Sequence, residues 1–200
     1  MAVTPVCESV ADVFDVIKGL AEEDHPFQTL VIDSITQFNT LVEHEIVASD
    51  PKHPASINQA LGGYGAGHMA ASEVHRKLRA WCDALSNAKQ MNIIYIAHAD
   101  NEKVDLPDQD EYTRYTLRLN KRSVSHYSDN VDCVAFVKLR TFTRGAEDKK
   151  KATTTGERIL TCYPTPSHIS KNRFFIDQDL VVTNGENPLA PYIPFLNPAA

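Results

Sequence analysis

Thr29-Leu30-Val31-Ile32-Asp33-Ser34 is a short apolar run that ends in an acid and then a hydroxyl. Helical periodicity flanks it on both sides, which predicts a central parallel strand buried on both faces. A second run of the same kind, Asn92-Ile93-Ile94-Tyr95-Ile96-Ala97-His98, also ends in a polar residue. A helix between two such runs gives a right-handed parallel βαβ unit. Asp33 and His98 then end neighbouring strands on one edge of the sheet, the edge at which open α/β sheets bind ligands. An Asp-Ser turn that merely stops the strand is the plainer alternative for the first run taken alone.

The segments around these strands fit the same layout. Ser9 is placed to cap a helix with Val10, Val13, Phe14, Ile17 and Leu20 on one face, and Asp12 sits where a capping box puts its acid. A second helix is predicted from Ile35 to about Ala48. A third is predicted over Gly67–Lys89, its inner stripe formed by Val74, Leu78, Trp81, Cys82 and Leu85. Trp81 is expected in the core rather than as a stacking platform. The glycine-rich Gly62–His68 segment lacks the Lys-Ser or Lys-Thr of a phosphate-binding loop, so it is expected to be a flexible lead into that helix.

Composition excludes several classes. The 200 residues are 42% hydrophobic and 23% charged, ordinary globular usage. No stretch approaches the roughly 18 apolar residues of a membrane span. Met1–Val10 shows no basic region followed by an apolar one, so a cytoplasmic location is expected. Cys7, Cys82, Cys133 and Cys162 form no CxxC pair, which points to reduced thiols rather than a zinc cage. A metal-dependent or serine hydrolase is disfavoured, because HExxH and GxSxG spacings are absent despite Asp33, Glu43, Glu45, Asp100 and eight histidines.

The net charge of -6 hides an asymmetry. Arg114 to Arg173 holds 13 basic and 5 acidic residues, and the rest of the chain holds 7 basic and 21 acidic. One basic surface able to meet a polyanion is expected, with a solvated basic loop as the alternative. Ala99–Glu111 is expected to be an acidic loop. Tyr112–Arg118 interleaves tyrosine with arginine, a pattern that suits stacking on bases and pairing with phosphates, and equally suits a half-buried strand. Arg114, Tyr115, Arg118, Lys121, Arg122, Lys149, Lys150 and Lys151 are the candidate nucleic-acid contacts. Lys121–Asn130 is predicted as a short helix, Val131–Leu139 as a strand, Thr143–Gly156 as a mobile basic loop and Arg158–Tyr163 as a further strand. In Lys171-Asn172-Arg173-Phe174 the two cations are one residue apart and project to the same side of an extended segment. Asn187–Ala200 carries four prolines and is expected to be an extended arm or a disordered end.

The order LVIDS, long helix, IIYIAH, VDCVAF, RIL, KNRF resembles the core of RecA-like P-loop ATPases. It looks closest to phage nucleotide-binding and single-strand annealing recombination proteins and to the RadA group. The resemblance implies an α/β fold: a mostly parallel sheet flanked by helices, with antiparallel additions toward the C-terminus. It spans roughly Val3 to Phe175, and a partial core is expected at residues 1–186, ahead of a Pro-rich tail at 187–200. It implies ATP and Mg²⁺ as cofactors, with Asp33 as the Mg²⁺-associated acid and His98 as the γ-phosphate sensor. Ser34 would stand beside the nucleotide, and Lys171 and Arg173 would reach a neighbour's nucleotide in trans. Single-stranded DNA is the implied partner, in a homo-oligomeric ring or filament or with a P-loop-bearing partner chain, and with no membrane.

One departure from that family is large. GxxxxGK[ST] does not occur in the 200 residues, so the N-terminal P-loop unit is expected to be absent. ATP hydrolysis would then need a second polypeptide, because the P-loop supplies most of the electrostatic catalysis. The alternative is a non-enzymatic nucleic-acid-binding or protein-interaction module that retains the fold.

Overall fold

The computed structural model describes residues 2–144 and 151–193. The chain divides into two compact units, Met1–Asp100 with Leu117–Asn130, and Asn101–Thr116 with Val131–Ala200. The sequence pattern reads 1–186 as one core.

The first unit is a parallel strand pair with helices. Helix α1 (Val10–Glu22) starts at a full capping box: Asp12 N–H donates to Ser9 Oγ, and Ser9 N–H donates to Asp12 Oδ2. Strand β1 (Thr29–Asp33) leads into α2 (Ile35–Ser49), then a 3₁₀ turn at Ala60–Gly62 and the long helix α3 (Ala66–Lys89). Strand β2 (Asn92–Ile96) pairs parallel with β1. Helix α4 (Lys121–Ser128) completes the unit. Ile17, Phe38, Val42, Leu78, Cys82, Leu85 and Met91 form its core. Trp81 packs edge-on against Phe14 with ring centroids 5.0 Å apart, inside the core's margin as its helical spacing predicts.

The strands depart from expectation on one point. Leu30, Ile32, Ile93 and Tyr95 face the core, but Val31 is 47% exposed and Ile94 42%. The helices of this unit all pack on one face, so the strand pair is buried on that face alone. Among the described residues the parallel sheet has two strands, not the broad sheet expected.

His75 joins three helices. Its Nε2–H donates to Asn39 Oδ1 at 3.0 Å, because a carbonyl oxygen can only accept. Its Nδ1 then accepts from the Tyr127 hydroxyl at 2.8 Å, and Asn39 Nδ2 donates onward to Glu43. The ring is fully buried.

In the second unit the ladders toward the C-terminus are antiparallel, as the resemblance implies, with a parallel bridge between Tyr115 and His168. Strands β3 (Ala99–Leu106) and β4 (Gln109–Leu117) form a two-stranded ribbon. The expected acidic loop at Ala99–Glu111 is therefore strand. Cross-strand ion pairs, Lys103–Glu111 at 2.9 Å and Arg114–Glu102 at 2.6 Å, offset the acidic repulsion that suggested a loop. Strand β5 (Cys133–Val134) pairs with β8 (Lys171–Asn172). Strands β6 (Phe136–Arg144), β7 (Lys151–Thr161) and β9 (Leu180–Val181) make a three-stranded sheet in the order β6-β7-β9.

The single strand expected over Val131–Leu139 is thus split between β5 and β6. In the basic segment expected to be a loop, residues 143–144 and 151–156 are strand, with Thr153 paired to Phe142 and Thr154 to Thr141, and residues 145–150 lie outside the described residues. Gly156, at φ 78°, sits where the β6–β7 register shifts, a bulge conformation that glycine accepts without strain. Leu160, Cys162, Ile176 and Leu180 form this unit's core, with Leu189 and Tyr192 packed against it. Residues 187–193 of the predicted tail thereby join the fold, and 194–200 lie outside the described residues. No helix among the described residues is long and apolar enough to cross a membrane.

Candidate functional site

The register sets the site. Thr29 pairs with Asn92 and Asp33 with Ile96, so both strands of the parallel pair end on the same edge. Asp33 closes β1, and His98 lies two residues beyond the end of β2. Both side chains are exposed, and neither is engaged by another side chain among the described residues. The Asp33-Ser34 peptide is cis.

Local capping fixes the chain just beyond Asp33. Ser34 is the N-cap of α2, and its Oγ accepts the Gln37 N–H at 3.1 Å. That hydroxyl is committed as an acceptor, and its own proton remains free to donate. Two residues on, Thr36 Oγ1 accepts the His98 backbone N–H at 3.0 Å. The His98 carbonyl accepts from Arg118 N–H at 2.8 Å, and the Arg118 guanidinium donates to Ala99 O at 3.2 Å. His98 is therefore held on both sides by its backbone, while its imidazole stays open to solvent. The sequence pattern singles out Asp33 and His98 but not Thr36. The available signal is a hydroxyl in the first turn of the helix that succeeds the acid.

The donor set suits Mg²⁺ of one kind. Among the described residues no three His, Cys, Asp or Glu side chains cluster as a protein cage would require. Mg²⁺ typically takes one or two carboxylates and completes its shell with water and phosphate oxygens. A lone, unengaged Asp33 carboxylate fits that mode.

Lys171 and Arg173 belong to the second unit, whereas Asp33 and His98 belong to the first. Lys171 pairs with Val134 across β5–β8. Arg173 N–H donates to Asp132 O at 3.0 Å, and its guanidinium meets Asp132 Oδ1 at 2.9 Å. Both side chains of that ion pair are about two-thirds exposed (68% and 64%), so the pair is cheaply given up.

The residue between the two cations organises the turn. Asn172 Nδ2 donates to Cys162 O and Ile176 O, and its Oδ1 accepts from Phe174 N–H and Ile176 N–H, all within 3.0 Å. That cradle accompanies Phe175 in the left-handed region at φ 58°, with its ring 96% exposed.

The candidate nucleic-acid residues divide between the units: Arg118, Lys121 and Arg122 belong to the first, Arg114, Tyr115 and Lys151 to the second. Arg114 has its charge answered by Glu102 across the β3–β4 ribbon. Tyr115 stacks on Phe136 at 5.0 Å, and Phe136 stacks in turn on His168 at 4.7 Å. The Arg118 guanidinium is engaged at the Ala99 carbonyl. Lys121 and Arg122 open α4 behind the Asn120 cap. Lys149 and Lys150 lie outside the described residues. Lys151 opens β7 with its backbone opposite Arg144.

One residue that the sequence pattern does not mark stands out. Tyr64, at φ 52°, is fully exposed between Gly63 and Gly65. The chain just ahead of it is anchored: the buried Asp50 carboxylate accepts from Leu61 N–H at 2.6 Å and from Lys52 N–H at 2.9 Å. Those two backbone donors, Lys52 first, keep the Asp50 carboxyl below the usual carboxylate range. A side chain grown from Gly65 would begin 3.7 Å from the Arg122 guanidinium, so the backbone that follows Tyr64 runs close to Arg122. The signal is a tyrosine enclosed by glycines.

A family model described as an AAA domain matches residues 1–174. No curated protein and no solved structure matches the chain. On the span of that match, the chain belongs to the AAA domain family, a P-loop NTPase-like group of nucleotide-binding, ATPase-like modules.

Proposed function

We propose that this chain supplies one part of a composite ATP site that acts on single-stranded DNA, in the manner of RecA-like recombination proteins. The observation that carries it is the shared edge, with the Asp33 carboxylate and the His98 imidazole at the tips of two parallel strands and tied through Thr36. Asp33 would hold Mg²⁺, directly or through water, beside the phosphates. His98 meets the γ-phosphate or the attacking water, since a neutral imidazole both donates and accepts. Lys171 and Arg173 neutralise phosphate charge on a neighbouring subunit's nucleotide. The phosphate cradle comes from a P-loop outside these 200 residues, which contain no GxxxxGK[ST].

Mixing the chain with a P-loop-bearing AAA domain protein tests this. ATP turnover rises in the mixture, and Lys171→Ala or Arg173→Ala removes the rise. Turnover indifferent to both substitutions contradicts the trans role.

A second reading is favoured by the fully exposed Tyr64 ring, a surface on which a base stacks without a nucleotide cofactor. Single-strand binding that weakens steeply with salt and ignores ATP supports a non-enzymatic nucleic-acid module instead.

A further inference from the structure

We propose that Cys133 and Cys162 form a redox-active thiol pair, converted to an intramolecular disulfide by a hydroperoxide. Both lie in the second unit, Cys133 in β5 and Cys162 just past the end of β7. Cys133 packs against the apolar cluster that contains Cys162. Asn172 fixes the approach. It faces Cys133 across the β5–β8 ladder, and its amide donates to the Cys162 carbonyl at 2.9 Å. The two segments that carry the thiols are therefore tied to one residue.

Their environments divide the labour. Cys133 is partly exposed, whereas Cys162 is wholly enclosed. The neighbouring Cys162 thiol holds the Cys133 thiol below its ordinary value, and Cys133 with burial pushes Cys162 up. The other two cysteines lack such a partner thiol, and burial raises both Cys7 and Cys82.

The chemistry balances with the peroxide as the only oxidant. Cys133 thiolate attacks a peroxide oxygen, an S–O bond forms, the O–O bond breaks, and the leaving oxygen takes a proton as water or alcohol. The Cys162 sulfur then attacks the Cys133 sulfenic acid. An S–S bond forms, the S–O bond breaks, and the Cys162 proton leaves with the hydroxyl as water. Two electrons pass from the thiols to the peroxide. The product staples β5 to the end of β7 around Asn172, the residue that sets the turn bearing Arg173 and Phe175.

Peptide mapping of the full chain after hydrogen peroxide treatment, under non-reducing conditions, tests the pair. A Cys133–Cys162 cross-linked peptide is expected, with an intact mass lower by two hydrogens and recovery by dithiothreitol. In Cys162→Ser, dimedone traps a sulfenic acid on Cys133. Iodoacetamide at neutral pH alkylates Cys133 of the untreated protein several-fold faster than Cys7. Both thiols surviving peroxide, or cross-links that run through Cys7 or between chains, would overturn the proposal. The mapping uses the unaltered protein, so a poorly folded variant does not decide it.

Discussion

The His98 backbone N–H donates to Thr36 Oγ1 across 3.0 Å, joining the tip of β2 to the first turn of the helix that succeeds Asp33. One hydroxyl thereby links the positions of the two candidate site residues. Thr36→Val removes the acceptor and keeps the shape. The bond is exposed, so water replaces much of it, and a cost of about 0.5 kcal/mol is expected. Faster amide exchange at His98, restored by Thr36→Ser, is the measurement. Unchanged exchange in Thr36→Val would contradict the link.

His75 makes the first unit sensitive to acid. Burial, with the neighbouring His126 charge, lowers its imidazole from 6.5 to about 4. The unfolded ring takes its proton near 6.5 and the folded ring only near 4. Stability is therefore complete above 6.5 and falls as pH drops toward 4, by about 3 kcal/mol across the window. Urea midpoints measured over that range should decline, and His75→Gln should flatten the decline. A midpoint constant across the window would exclude a neutral, buried His75.

Asn172 carries the turn between the two cations. Asn172→Ala strips four hydrogen bonds from a half-buried site, and a loss of about 2–4 kcal/mol is expected. Phe175→Gly should act in the opposite direction. The ring is 96% exposed, and glycine accepts φ 58° without strain, so a gain of up to about 1 kcal/mol is expected. Denaturant midpoints of both variants check the pair. A strongly destabilised Phe175→Gly would mean that the ring has a packing role within the chain.

Gly67 is fixed by contact rather than by dihedral angle. A Cβ there would collide with the Ile57 carbonyl oxygen and lie 3.2 Å from Ala60 Cβ. Gly67→Ala is expected to cost about 1–3 kcal/mol despite glycine's low helix propensity. Greater thermal stability in Gly67→Ala would contradict that packing.

The helices of the first unit are legible in the sequence because each buries one stripe. Val10, Val13, Phe14 and Ile17 specify α1, and Val74, Leu78, Cys82 and Leu85 specify α3. The parallel pairing of β1 and β2 follows from the helical crossover, α2 and α3, between them. The open face of that pair is not legible, because Val31 and Ile94 have the apolar character of buried residues whether or not anything covers them. The β3–β4 ribbon is hidden for a different reason: its acids look like a loop until Lys103 and Arg114 stand opposite them. Thr36, Asn172 and Tyr64 escape notice in the sequence because a hydroxyl, an amide or a ring acquires a role only from its neighbours.

The shared edge of Asp33 and His98 is tested most directly by Mg²⁺-dependent binding of a fluorescent ATP analogue to the chain mixed with a P-loop-bearing AAA domain protein. Binding above that of the partner alone is expected, lost in Asp33→Asn, weakened in His98→Ala, and abolished when Mg²⁺ is chelated. Binding that never exceeds the partner's own, or that persists undiminished in Asp33→Asn, would contradict a nucleotide site at this edge.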